Sequence, residues 1–315
     1  MNVVKCNFSL KTLVVAVINI ALWSLCADAW ATCLYTDFEG WKDCFVKDKL
    51  STQLAAIDLE VFRAAKFVPK VIELDRKQPE HKMTLSGYIK LINLDRKIVE
   101  GKKFLHRHAG VAKAIGEQYG VEPEIIVALI GMESDYGLVQ GRFNVVDALA
   151  TLSYEGRRKK FFEGELLKLL TVARNEGLRY DDLKGSWAGA MGQTQFMPSS
   201  YLAYAVDYDE DGKADIWSSV PDAMASAANY LKNNGWTLGK SQIKQLKNPK
   251  MPNGCKVSEK KCPLTTGQDL RFIDDGGTMK TFLVGGNFDV LMKWNRSTYF
   301  GIGVLTIASG IVQHQ

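Results

Sequence analysis

A chain of 315 residues, 46% hydrophobic and 24% charged, has an ordinary globular composition and enough length to bury a sizeable core. Its net charge of +5 lies in scattered Lys and Arg rather than in a block. That suits an anionic polymer or surface and argues against nucleic acid, because no basic stripe is interleaved with stacking aromatics.

The chain opens with Lys5 and Lys11 ahead of an apolar run over residues 13–25, followed by Ala27-Asp28-Ala29-Trp30-Ala31. This is the plan of a secretory signal peptide, residues 1–31, cleaved near Ala29 or Ala31. The run is too short for a membrane span, and Asn19 interrupts it. Lipid attachment at Cys26 is the alternative, disfavoured because Trp23 and Leu25 stand where such a signal wants an aliphatic and a small residue. Cleavage removes Cys6 and Cys26 and leaves Cys33, Cys44, Cys255 and Cys262, an even set that suggests disulfides in an oxidising compartment. Three pairings are possible; proximity favours Cys33 with Cys44 and Cys255 with Cys262. No His lies near either pair to support a zinc site.

Residues 32–103 read as an N-terminal helical region, with apolar positions three and four apart over 54–68 and 88–99 and a polar connection over 74–80. Over 104–236 helix follows helix, broken at Gly120, Gly137, Gly156 and the Asp-rich stretch after Val206. Residues 237–288 gain Pro, Gly and short alternations such as Leu270-Arg271-Phe272-Ile273, the pattern of a small β-rich insertion. Helical periodicity returns over 289–315, so the chain is expected to rejoin the main body. The fold class is mainly α.

Within the central region, Pro123 suits a first helical turn and Gly137 the position past a helix end. On that helix Ile126, Leu129, Ile130 and Glu133 share one face, so a carboxylate continues a buried stripe. Burial and the negative end of the helix dipole should both raise the pKa of Glu133, as a general acid requires. The plainer reading is a carboxylate at the rim of the core or paired with an Arg. Asp135, two residues on, falls on nearly the opposite side and is expected to cap, pair or face solvent.

Three motifs in order then make the chain recognisable: Glu133-Ser134-Asp135-Tyr136-Gly137, Asp147-Ala148-Leu149-Ala150-Thr151-Leu152, and Gly189-Ala190-Met191-Gly192-Gln193-Thr194-Gln195-Phe196-Met197-Pro198-Ser199-Ser200-Tyr201. The sequence resembles the membrane-bound lytic murein transglycosylase B family, glycoside hydrolase family 103, over about residues 74–236 and again at Trp294-Asn295-Arg296-Ser297. The resemblance implies a lysozyme-like core that cleaves the β-1,4 bond between N-acetylmuramic acid and N-acetylglucosamine and leaves a 1,6-anhydromuramic end. One Glu serves as acid and then as base, without an organic cofactor. It further implies Ser186 and Gln195 beside Glu133, with Phe196 lining the sugar cleft. Asn295, Tyr230 and Tyr88 match by motif or spacing as substrate contacts, although an Asn there can be only a cap and a Tyr at helical spacing can be only core. The implied partners are peptidoglycan strands and cell-wall synthesis or remodelling proteins, met by a monomer in the periplasm.

The stretch from Asp207 to Asp215 has acids at loop positions one, three, five and nine and Gly212 at six, the pattern of a calcium-binding EF-hand loop. Asp207, Asp209 and Asp211 would be ligands and Lys213 would offer its carbonyl. Ser218 stands where Glu is expected at position twelve; the resemblance suggests that Asp222, one residue late, closes the site. The alternative is a solvated acidic turn. Two rival functions remain: a hydrolytic muramidase using the same Glu133 with water, and a non-catalytic, calcium-stabilised glycan-binding protein.

Overall fold

A computed structural model describes residues 33–50, 56–77, 83–247, 249 and 251–313. The signal segment over 1–31, with Cys6 and Cys26, lies outside the described residues, as do Leu54 and residues 78–80 of the polar connection. The chain divides into two compact units, 1–54 and 55–315.

In the first unit, the Asp37 carboxylate accepts the Gly40 N–H at 2.8 Å and caps α1 (Phe38–Phe45), which continues as a π-helical turn over Val46–Leu50. A disulfide joins Cys33 to Cys44 across 5.5 Å between Cα atoms. The rings of Phe38, Trp41 and Phe45 follow one another at helical spacing, with centroids 5.4 and 5.3 Å apart.

The second unit begins with α2 (Ala56–Arg63), α3 (Pro69–Arg76), α4 (Leu85–Leu91) and α5 (Leu94–Arg107). The helix expected over 54–68 therefore stops early and a new one starts. Pro69 opens α3, and Val68 is extended because a proline crowds the residue before it. The helix expected over 88–99 is likewise two, divided at Asn93, whose φ of 51° is left-handed.

After α6 (Ala109–Tyr119) comes α7 (Pro123–Ser134), where residues 125–130 are all buried. Apolar spacing predicts a single buried face; Val127 and Ala128 are enclosed as well, because α5, α6, α11 (Val220–Asn233) and α13 (Thr298–Val312) surround the helix. Between these come β1 (Phe143–Asn144), α8 (Val145–Glu155), α9 (Lys159–Glu176), β2 (Lys184–Gly185) and α10 (Pro198–Tyr204), with β1 antiparallel to β2. The buried Asp75 carboxylate binds both Arg157 and Arg158, tying α3 to the turn before α9.

Four antiparallel strands follow, β3 (Ile243–Leu246), β4 (Lys261–Pro263), β5 (Asp269–Asp274) and β6 (Met279–Val284), in the order β3-β6-β5-β4. A disulfide joins Cys255 to Cys262 of β4, their Cα atoms 5.7 Å apart. Glu122, at the head of α7, fastens the start of this segment: it accepts the Trp236 indole N–H at 2.8 Å, the Gly239 N–H at 2.8 Å and the Ser241 hydroxyl at 2.7 Å. The return to helix is split into α12 (Phe288–Trp294) and α13, with Ser297 capping the latter. No helix among the described residues is long and apolar enough to cross a membrane.

Candidate active site

Glu133 occupies the last turn of α7, and the chain leaves that helix through three consecutive left-handed residues, Asp135, Tyr136 and Gly137. Ser134 stabilises the exit: its hydroxyl donates to the Ile130 carbonyl and accepts the Gly137 N–H, both at 3.0 Å. The Tyr136 ring folds back over Gly131, where a Cβ would collide with it, and its hydroxyl donates to the Lys97 carbonyl. These contacts pin the helix end, and Glu133 lies partly buried within it.

Burial pushes the Glu133 carboxyl up to about 7, against the Trp294 hydrogen bond and the positive charge of Lys97, which both favour the ionised form. The Trp294 indole N–H donates to Glu133 Oε1 at 2.7 Å. Asp135 has the opposite fate. Its burial would raise the pKa, but hydrogen bonds and charge from Arg96 and Lys97 hold it below the ordinary carboxylate value. Lys97 also donates to the Gly131 carbonyl at 2.6 Å.

The segment carrying Ser186 and Gln195 is fixed against this helix end by amides. Gln140 Nε2 donates to the Gly137 carbonyl at 3.0 Å and to that of Trp217 at 2.9 Å. Gln195 Nε2 donates to the carbonyls of Gln140 (3.0 Å) and Gly192 (2.8 Å). Both amide hydrogens are spent, so Gln195 can meet a ligand only as an acceptor through Oε1. Ser186 Oγ accepts the N–H groups of Ala188 (3.3 Å) and Ala190 (3.0 Å), which leaves it a donor. Gly192, at φ 64°, lies against Ile216, and a Cβ there would come within 2.7 Å of it.

Phe196 is only 3% exposed, so it presents little face to a sugar. Instead it packs between Trp294 and Tyr230, with centroids 5.4 and 6.0 Å away. Tyr230 meets Trp294 edge-on at 4.7 Å and Tyr204 likewise at 4.7 Å, so these rings form one wall next to Glu133. Asn295 is exposed, and its Oδ1 accepts the Ser297 N–H at 3.0 Å in the turn that leads into α13. The described ring contact of Tyr88 is with Tyr299 at 5.7 Å, in the first turn of α13.

In the acidic loop, ligand atoms of Asp207, Asp209 and Asp211 lie within 4.8 Å of one another, a group of hard oxygens fit for calcium. Asp222 stands outside that group: its Oδ1 accepts the N–H groups of Tyr208 and Asp209, and its Oδ2 that of Asp215. Asp222 thus braces the loop backbone through three N–H groups. Asp215 is turned to the N–H groups of Trp217 and Ser218, both at 2.9 Å. The Lys213 N–H donates to Asp211 Oδ1 at 3.0 Å.

Sequence reasoning missed the roles of Trp294, Lys97 and Gln140. Trp294 belongs to the run Trp294-Asn295-Arg296-Ser297, but nothing local links it to a carboxylate 161 positions away.

A family model described as the transglycosylase SLT domain matches residues 37–309. The chain is 38% identical over 231 residues to membrane-bound lytic murein transglycosylase B of Escherichia coli, covering 68% of this chain and 63% of that relative's length. Among solved structures it is similar to SltB3 of Pseudomonas aeruginosa in complex with NAG-NAM-pentapeptide (33% identity, TM-score 0.80, 89% of this chain and 80% of that one). It is also similar to the Escherichia coli lytic transglycosylase Slt35 in complex with calcium (32% identity, TM-score 0.71, 87% and 92%).

Proposed function

The chain belongs to the transglycosylase SLT domain family, with a lysozyme-like fold, and on that premise we propose that it is a peptidoglycan lytic transglycosylase whose one acid and base is Glu133. The bond cut is the β-1,4 link from N-acetylmuramic acid to N-acetylglucosamine, and the product ends in 1,6-anhydromuramic acid. Binding of NAG-NAM-pentapeptide and NAG-anhNAM-pentapeptide by SltB3 supports this substrate.

The observation that carries the mechanism is the contrast within one turn: Glu133, poised near 7, keeps a proton to give at neutral pH, while Asp135 is locked in ion pairs. Glu133 protonates the leaving oxygen, and its carboxylate then takes the proton of the sugar's own 6-hydroxyl as that oxygen closes on C1. No second carboxylate is required, and Asp135 is in no position to serve as one. Ser186 donates toward the acetamido oxygen, Gln195 accepts from a sugar hydroxyl or N–H, and Asn295 offers its amide. Tyr230 and Phe196 support the wall of the cleft, and Tyr88 extends it.

Calcium at Asp207, Asp209 and Asp211, with the Lys213 carbonyl, would neutralise three clustered carboxylates and brace the loop whose Ile216 carbonyl accepts the Gln193 N–H at 2.8 Å. Asp222 holds that loop from inside. A cleaved signal peptide over 1–31 would bring the enzyme to the periplasm, where it works as a monomer on glycan strands.

The test is digestion of purified peptidoglycan by the wild type and by Glu133→Gln, with the sugar ends identified by mass spectrometry. Anhydro ends from the wild type and a rate lower by about 10²–10⁴-fold in the variant are expected. Reducing ends would make it a hydrolytic muramidase; full activity in the variant would remove Glu133 from the chemistry.

A further inference from the structure

Trp294 bonds to the one carboxylate that the mechanism uses, and its chemistry is one-sided. An indole N–H only donates, so Glu133 Oε1, 2.7 Å away, is permanently an acceptor. We propose that Trp294 is a positioning residue that confines the transferable proton to Glu133 Oε2 and stabilises the carboxylate left when that proton departs. The inference rests on Glu133 being the acid.

The proton on Oε2 passes to the glycosidic oxygen as the C1–O bond breaks and its electron pair stays on that oxygen. Negative charge then spreads over both carboxylate oxygens, and the indole bond to Oε1 becomes charge-assisted and stronger. When the 6-oxygen bonds to C1, its proton returns to Oε2. Trp294 thus favours the state that the first half-step creates, and it does so through the oxygen that never handles the proton.

The indole is built to stay in place. It is the last residue of α12, the Asn295 N–H bonds back to the Leu291 carbonyl at 2.9 Å, and Phe196 and Tyr230 hold the ring from two sides. Among the described residues, the charge that acts on Glu133 is that of Lys97. Lys97 comes from α5 and favours the carboxylate; Asp135 is occupied by Arg96 and Lys97; α11 presents Tyr230; α13 carries no charged side chain; and Lys113 and Glu117 on α6 face each other.

The experiment compares pH profiles of kcat and KM for the folded full chain, wild type, Trp294→Phe and Trp294→Tyr, on purified peptidoglycan. In Trp294→Phe, kcat should fall about 10- to 100-fold with KM little changed. The alkaline limb should move up by about one pH unit, because a donor to the ionised form is gone. Trp294→Tyr, which restores a donor, should recover part of both. A wild-type pH profile in Trp294→Phe, whatever its rate, would overturn the proposal. A second measurement needs no substitution of Trp294: in ¹⁵N spectra one indole signal should titrate with an inflection near 7, and Glu133→Gln should abolish that titration. Absence of such a signal also overturns it. An inactive Glu133→Gln beside an unshifted Trp294→Phe would sink this inference alone, whereas a fully active Glu133→Gln would sink the acid assignment itself.

Discussion

Glu133 and the loop from Asp207 to Asp211 hold carboxylates under opposite conditions. Glu133 sits alone at the end of an enclosed helix, receives one indole N–H, and is pushed up to about 7 by burial. Asp207, Asp209 and Asp211 crowd together near the surface, where Asp207 and Asp211 accept backbone N–H groups and Asp209 accepts the Ser219 hydroxyl. Isolation in an apolar setting makes a proton donor; crowding in a polar one makes a seat for a cation. The same functional group thus stands single and partly buried in one region and clustered near the surface in the other.

The largest effect should come from the pH dependence of stability. Between the unfolded value of 4.5 and about 7, the folded chain keeps the Glu133 proton that the unfolded chain has lost. Stability therefore declines as pH rises through that window and levels off above it, by about 3 kcal/mol at most. Glu133→Gln should remove this decline and be the more stable protein at pH 8 while matching the wild type near pH 4.5. Urea melts of both across the range provide the check, and parallel curves would show that burial does not suppress ionisation at this site.

Calcium should act on the other member of the pair. At a hundredfold excess over its Kd it should stabilise the chain by about 3 kcal/mol. Asp209→Asn should erase that gain, and neither change should move the alkaline limb of activity. Melting temperatures with calcium and with a chelator decide it: identical values in the wild type would return the loop to a solvated acidic turn.

The smallest effect is expected at Asp135→Asn, which sharpens the contrast within α7. Losing the partly exposed pairs with Arg96 and Lys97 should cost about 1 kcal/mol. Lys97, no longer shared, would act more strongly on Glu133 and lower the alkaline limb by a few tenths of a pH unit. A rate loss as deep as that of Glu133→Gln would instead make Asp135 a second acid.

The helical class and the start of α7 could be read from Pro123 and the apolar run after it, because those signals are local. The points where helices divide were harder. Asn93 and the stretch 295–297 look continuous by apolar spacing, yet the first is left-handed and the second is a capped turn. Residue types at the site were legible through motifs, but their hydrogen-bonding states were not. That Gln195 has only its oxygen to offer depends on Gln140 and Gly192, and that Asp222 meets the loop backbone depends on how Tyr208 and Asp215 fold back onto α11. Burial on every side of α7 likewise depends on helices distant in sequence.

Glu122 has a consequence for anyone trimming this chain. The four-stranded segment pairs within itself and could pass for a removable accessory, but the Glu122 carboxylate holds three donors from its entrance, those of Trp236, Gly239 and Ser241. Excising the whole segment over 237–288 would take Gly239 and Ser241 with it and leave that carboxylate with Trp236, at the head of the very helix whose last turn carries Glu133. A shortened enzyme would need a replacement foot for that strut, and Glu122→Gln combined with the excision is the natural first design.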